Sequence, residues 1–103
     1  MSNTLKQLND NQTPRLTSRE KEILYLIAHE YCNSEISRLL FLSKSTVDTH
    51  RKRLLFKFNV TNSAGLISRA YAYNYLPMEA PANIMGAIHE HKIFKIGIKS
   101  IAI

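Results

Sequence analysis

Apolar residues recur at helical spacing in four successive stretches between Leu16 and Leu76, with short polar links between them. Thr17 followed three residues later by Glu20 is a capping-box pattern, so the first helix is expected to open there, with Ile23, Leu26 and Ile27 as its apolar stripe. A loop at Tyr31-Cys32 leads to a second helix from about Asn33 to Leu40, whose buried face is Ile36, Leu39 and Leu40. After a turn at Phe41-Leu42, Ser43 is placed to cap a third helix. At about 100° per residue, Val47, His50, Leu54 and Phe58 fall on one side of it, and Ser45, Asp48, Thr49, Lys52 and Phe56 on the other. The link Asn59-Val60-Thr61 precedes a fourth helix from about Asn62 to Tyr75. Leu66, Ala70 and Tyr73 share one face of that helix, and Ile67, Tyr71 and Asn74 a neighbouring one. A small domain has little use for two apolar faces on a terminal helix, so the second is expected to serve a partner.

The pattern predicts an all-α fold in three zones. Residues 1–15 are too polar to bury much surface and read as a flexible arm. Residues 16–77 carry the periodic helices, and Pro77 is expected to stop the last one because it cannot continue the backbone ladder. Residues 78–103 change character, with Pro81, Gly86 and Gly97 spaced among isoleucines. The stretch Ile93–Ile103 has partial strand-like alternation that suits pairing with another chain, and lysines that suit an anionic membrane surface; it is equally compatible with disorder. Gly86 and Gly97 argue against a stable amphipathic helix in this tail, and so against membrane contact.

Composition narrows the partners. The chain has 103 residues, a formal net charge of +6 and a pI near 9.7, which favours an anionic partner. A single cysteine, Cys32, excludes an internal disulfide and suits a reducing compartment. The N-terminus lacks a basic-then-apolar signal pattern and no run approaches the roughly 18 apolar residues of a membrane span, which places the protein in the cytoplasm.

The third helix carries the candidate chemistry. Its capped start runs directly into basic residues, so it offers phosphate donors, short polar groups and, behind them, an anchoring apolar stripe. Lys44, Arg51, Lys52, Arg53 and Lys57 alone would more often be a solvated helix face; the capped start and the order of the helices tip the reading toward double-stranded DNA. His50 lies on the apolar side and reads as a packed, hydrogen-bonded core histidine. His29 with Cys32, and His89 with His91, supply too few ligands for a metal site. Tyr71, Tyr73 and Tyr75 fit helix packing or a dimer contact better than a stacking surface for single strands. Ser45, Asp48 and His50 diverge around a helix instead of converging on a catalytic point, so no enzyme, cofactor or small-molecule substrate is expected.

The order of residues also resembles the LuxR/GerE-type helix-turn-helix domain of bacterial transcription regulators. The matching pieces are Leu16-Thr17-Ser18-Arg19-Glu20-Lys21-Glu22-Ile23-Leu24, Asn33-Ser34-Glu35-Ile36-Ser37, Leu42-Ser43-Lys44-Ser45-Thr46-Val47-Asp48-Thr49-His50, Lys57-Phe58, and Leu66 with Ala70. The resemblance implies a four-helix domain whose third helix lies in the major groove and whose fourth pairs two copies, so Ile67, Tyr71 and Asn74 become dimer residues. By similarity, base-reading positions fall on Asp48, Thr49 and Lys52, and phosphate contacts on Lys44, Ser45, Thr46 and Arg51. A homodimer on an inverted-repeat site follows, with RNA polymerase as a further candidate partner. The chain departs from the pattern in three places. Asp48 stands where the family often has Lys, which makes the target sequence non-transferable. Cys32 stands where Ser or Thr is common, leaving Asn33 to cap the second helix. Phe58 stands where Leu is usual. The stretch ahead of the helices is too short for a receiver or ligand-binding domain, so the sequence is expected to resemble either the stand-alone members or a fragment of something longer. A rival reading is a small interaction protein that pairs with a full-length regulator and keeps it off DNA.

Overall fold

The computed structural model describes residues 13–88. Residues 1–12 of the expected arm, the His89 and His91 pair and the Ile93–Ile103 stretch lie outside the described residues. The architecture is all-helical, with α1 at Ser18–Ala28, α2 at Asn33–Leu40, α3 at Lys44–Lys57 and α4 at Ser63–Ala72. A short 3₁₀ helix at Ala82–Ile84 follows, and the chain is helical again over 85–88. Among the described residues no helix is long and apolar enough to cross a membrane.

α3 packs against α1, α2 and α4, and the core gathers around its inner stripe. Val47, Leu54 and Phe58 are fully buried there, beside Ile23, Leu24 and Leu26 of α1, Ile36 of α2 and Leu66 and Ala70 of α4. The stripe expected on α1 was narrower than the buried surface. Glu22 to Ile27 are all buried, because a second layer closes the far side of this helix. Asn83 donates to Glu22 Oε2 at 3.2 Å, and Ile84 and Ile88 join the core. The packing thus continues past Pro77, where the helix-stopping proline had suggested an end. Each buried isoleucine there contributes about 1.5–3 kcal/mol relative to exposure.

Helices α1 to α4 all end the same way. The N–H of Tyr31, Leu42, Val60 and Tyr75 returns to the carbonyl of Leu26, Ser37, Leu55 and Ala70, respectively, and the preceding N–H of Glu30, Phe41, Asn59 and Asn74 to that of Ile27, Arg38, Phe56 and Tyr71. This is the Schellman motif, which needs a left-handed residue at its apex and an apolar residue after it. The apex residues are Glu30, Phe41, Asn59 and Asn74, with φ between 55° and 68°. None is glycine. Asparagine tolerates that conformation, whereas Glu30 and Phe41 hold it against a steric penalty of about 1–2 kcal/mol. Two expectations are corrected here. α4 stops at Ala72, in a turn closed by Asn74, short of the expected Tyr75. The N-cap of α2 is Cys32 and not Asn33, because the Glu35 carboxylate accepts from the Cys32 N–H at 3.0 Å and a thiol need only occupy the position.

The beginning of α1 is tied to the end of α3. Glu20 is buried, accepts from the Thr17 N–H at 2.9 Å, and receives the Lys57 ammonium at 2.7 Å, while Thr17 Oγ1 accepts from the Glu20 N–H. Lys57 also donates to the Arg15 carbonyl at 2.9 Å. Burial pushes the Glu20 carboxyl upward, but the hydrogen bond from Lys57, those from Thr17 and the charge of Lys57 outweigh it, so its pKa lies below the usual value.

A carboxylate with a depressed folded pKa adds stability above its unfolded pKa and loses it as pH falls through the folded value. Glu20→Gln is therefore expected to cost about 2 kcal/mol at pH 7, and the gap from the parent should shrink as urea titrations move below the ordinary value of 4.5; a gap independent of pH would contradict the assignment. Phe41→Gly should raise stability by about 1 kcal/mol by relieving the left-handed strain. Phe41→Ala, which keeps the strain and removes an exposed ring, should leave the melting temperature nearly unchanged.

Candidate nucleic-acid interface

The outward side of α3 is built by the same periodicity that builds the core. Ser43 Oγ accepts from the Thr46 N–H at 3.1 Å and donates to Thr46 Oγ1 at 2.9 Å, fixing the first turn. Ser45 Oγ lies 3.1 Å from Ser43 Oγ, and Lys44 and Ser45 are exposed while Thr46 is half-buried. The helix start thus presents a hydroxyl cluster and a lysine at the positive end of the helix dipole.

One turn further, Asp48, Thr49 and Lys52 share the outward face. Thr49 Oγ1 donates to the Ser45 carbonyl at 3.0 Å, so its proton is engaged within the helix and its oxygen remains an acceptor. Lys52 Nζ lies 3.0 Å from Asp48 Oδ2, with side chains 74% and 49% exposed. Phe56 continues the face at 86% exposure. It lines a shallow groove of about 380 Å³ with Thr49, Lys52, Arg53 and Lys57. Arg51 turns toward α4 and donates to Ser63 Oγ at its N-terminus.

The structure thus brings Asp48, Thr49 and Lys52 together and groups Lys44, Ser45 and Thr46 at one end. Arg51 is set apart by its bond to Ser63. The contact with Ser63 was not legible beforehand because the two residues lie on different helices. The Asp48 and Lys52 pair has the i, i+4 spacing that could have announced it.

Other candidates sort differently. His50 is half-buried, but its Nδ1 is buried without a hydrogen-bond partner among the described residues, which corrects the hydrogen-bonded part of the expectation. His29 stacks on Tyr25 at 4.0 Å between centroids, with Nδ1 2.9 Å from the Tyr25 carbonyl. Among the described residues no three potential ligands cluster as a metal site. Tyr73 and Tyr75 pack edge-on to Phe58 at 5.9 Å, and the Tyr75 hydroxyl donates to the Pro14 carbonyl, so these rings tie the core together. Tyr71 is 53% exposed on α4, with Ile67 half-buried one turn before it; Asn74 lies in the turn beyond the helix.

A tight left-handed turn joining α2 to a capped, basic α3, braced by flanking helices, defines a helix-turn-helix domain of the DNA-binding kind. Residues 14–70 match the luxR family of bacterial regulatory proteins, and the chain belongs to that family of DNA-binding transcription regulators. It is 47% identical over 62 residues to the uncharacterised response regulatory protein YgeK of Escherichia coli, covering 60% of this chain and 40% of YgeK. It is 46% identical over 55 residues to the transcriptional regulatory protein MctR of Rhizobium johnstonii, covering 53% of this chain and 26% of MctR. The chain therefore spans well under half the length of these relatives. A Vibrio cholerae VqmA crystal structure, a complex with ligand and DNA, superimposes with a TM-score of 0.63 at 26% identity over 71% of this chain and 32% of that one.

An exposed i, i+4 pair contributes only about 0.3–0.5 kcal/mol. Asp48→Ala and Lys52→Ala are each expected to shift unfolding free energy by less than about 0.5 kcal/mol, as measured by urea denaturation. A larger loss in either would mean that the pair supports the fold.

Proposed function

We propose that the chain is a sequence-specific, cytoplasmic DNA-binding regulator that lays α3 in the major groove and acts as a dimer on an inverted repeat. The observation that carries this reading is the outward face of α3. A hydroxyl cluster and Lys44 stand at its capped start, and Asp48, Thr49 and Lys52 follow on one exposed surface backed by a fully buried stripe. Lys44, Ser45, Thr46 and Arg51 are the phosphate contacts, which hold register without reading sequence. Arg51 delivers its charge from a position set by Ser63. Asp48, Thr49 and Lys52 are the base-reading residues, reaching donors and acceptors that differ between base pairs in the major groove.

The second copy pairs through α4. Tyr71 is the exposed aromatic there, flanked by Ile67 and by Asn74 in the turn that follows. Aromatic residues of this kind are enriched in interface cores. Two-fold symmetry places the two α3 helices in successive major grooves about 34 Å apart. The DNA complex of VqmA supports the choice of partner.

Two cationic phosphate contacts per copy, Lys44 and Arg51, make four in a dimer. Log affinity is therefore expected to fall with log salt at a slope of roughly −3 to −4, measured by fluorescence anisotropy on a duplex selected from a random pool. Lys44→Ala should flatten that slope by about 2 without changing which sequences are preferred. Changing Thr49 and Lys52 together to Ala should instead abolish the preference. Recovery of the same inverted repeat by that double variant would sink the assignment of the reading face.

A further inference from the structure

We infer that Asp48 and Lys52 act as one unit that reads both partners of a single base pair, guanine on the lysine side and cytosine on the aspartate side. The inference rests on the DNA-reading function proposed above and adds to it the identity of a base pair. A lone carboxylate on a surface that meets DNA repels phosphate. Here the carboxylate is not alone. Lys52 Nζ sits 3.0 Å from Asp48 Oδ2, and both side chains remain open to solvent. The pair thus presents a donor and an acceptor side by side on the exposed face of α3, with little net charge and little contribution to stability.

The major-groove edge of a guanine–cytosine pair has the complementary arrangement. Guanine O6 accepts, the cytosine N4 amino group donates, and the two are joined by a hydrogen bond of about 2.9 Å. That spacing matches the 3.0 Å between the ammonium and the carboxylate. Lys52 can then donate to O6 while Asp48 accepts from the second N4 hydrogen, and the ion pair need not break. The four groups alternate in sign around a ring.

The same geometry ranks the other pairs. Reversing the pair sets the cytosine amino group against the ammonium and O6 against the carboxylate, so both contacts become repulsive. Adenine on the lysine side fails similarly, since its N6 amino group meets the ammonium. Thymine on the lysine side keeps the order, O4 accepting and adenine N6 donating, but lacks the N7 acceptor that guanine holds beside O6 for the ammonium to share. The expected order is guanine first, thymine second, and cytosine and adenine last. A lysine acting alone would prefer guanine but would leave the partner base unread.

The test is selection from a random duplex pool with the full chain, with Asp48→Ala and with Lys52→Ala, followed by affinities for all four base pairs at the selected position. The parent should bind guanine–cytosine about tenfold better than thymine–adenine and more than tenfold better than either reversed pair. Lys52→Ala should lose the preference, Asp48→Ala should keep at that same position only the weaker guanine preference of a lone lysine, and the variant carrying both changes should lose no more than Lys52→Ala alone. Relaxation of two different base pairs by the two variants would overturn the inference. So would a uniform gain in affinity by Asp48→Ala with its preferences intact, which would make Asp48 only a brake on phosphate binding. Failure of the parent to enrich any sequence would overturn the DNA-reading function itself, and this inference with it. Melting curves of the variants guard against misfolding, since neither side chain is part of the core.

Discussion

The helix-turn-helix depends on one buried charge. Glu20 stands at the start of α1 with its carboxylate out of water, and its satisfaction requires both the Thr17 backbone and the Lys57 ammonium. Removing either partner would leave a desolvated carboxylate short of donors, which costs more than the pair adds as a net attraction. That asymmetry forces the C-terminus of α3 to lie against the N-terminus of α1. The second contact of Lys57, with the Arg15 carbonyl, brings in the segment before α1, and Tyr75 fastens the neighbouring Pro14 to the end of α4. The ends of three helices are thus gathered at one point, and the orientation of α3 is set from its far end, away from its exposed N-terminal turn.

This division lets α3 carry opposite demands. Its inner residues Val47, Leu54 and Phe58 are fully buried, while Asp48, Thr49 and Lys52 on the other side make few contacts beyond their own helix. The outer set can change with little effect on the fold, and the inner set cannot. A family built on such a helix can alter what it recognises without rebuilding its core, in keeping with the low overall identity but shared fold between this chain and VqmA.

The helices themselves were largely legible in the sequence, because capping residues and periodicity are local. Thr17 with Glu20, Ser43 at α3, and the split of α3 into two sides all follow from neighbours a few residues apart. What escaped was non-local. Glu22 is buried and held by Asn83, distant in the chain, and Ile84 and Ile88 join the same core from beyond Pro77. The bond from Arg51 to Ser63 joins two helices and leaves no local signal in the sequence. The helix ends were misjudged at α4 because Pro77 is a conspicuous breaker, whereas the signal that stops the helix is the quieter combination of Asn74 at the apex and Tyr75 after it. Each turn carries that second mark, an apolar residue following the apex, in Tyr31, Leu42, Val60 and Tyr75.

Those repeated turns also limit how the molecule can move. A Schellman ending fixes two backbone hydrogen bonds and one left-handed residue within a few positions, leaving little torsional freedom between successive helices. Between α2 and α3 the whole connection is Phe41, Leu42 and Ser43, of which the first is locked in the turn and the last in a cap. The two helices are thus set to travel as a single rigid piece. On the proposed reading, adjustment to an imperfect site must come from elsewhere, through bending or twisting of the duplex and through the angle between two copies. Base steps that the protein never touches would then weigh in its choice of site, because they determine how readily the duplex conforms to a fixed shape.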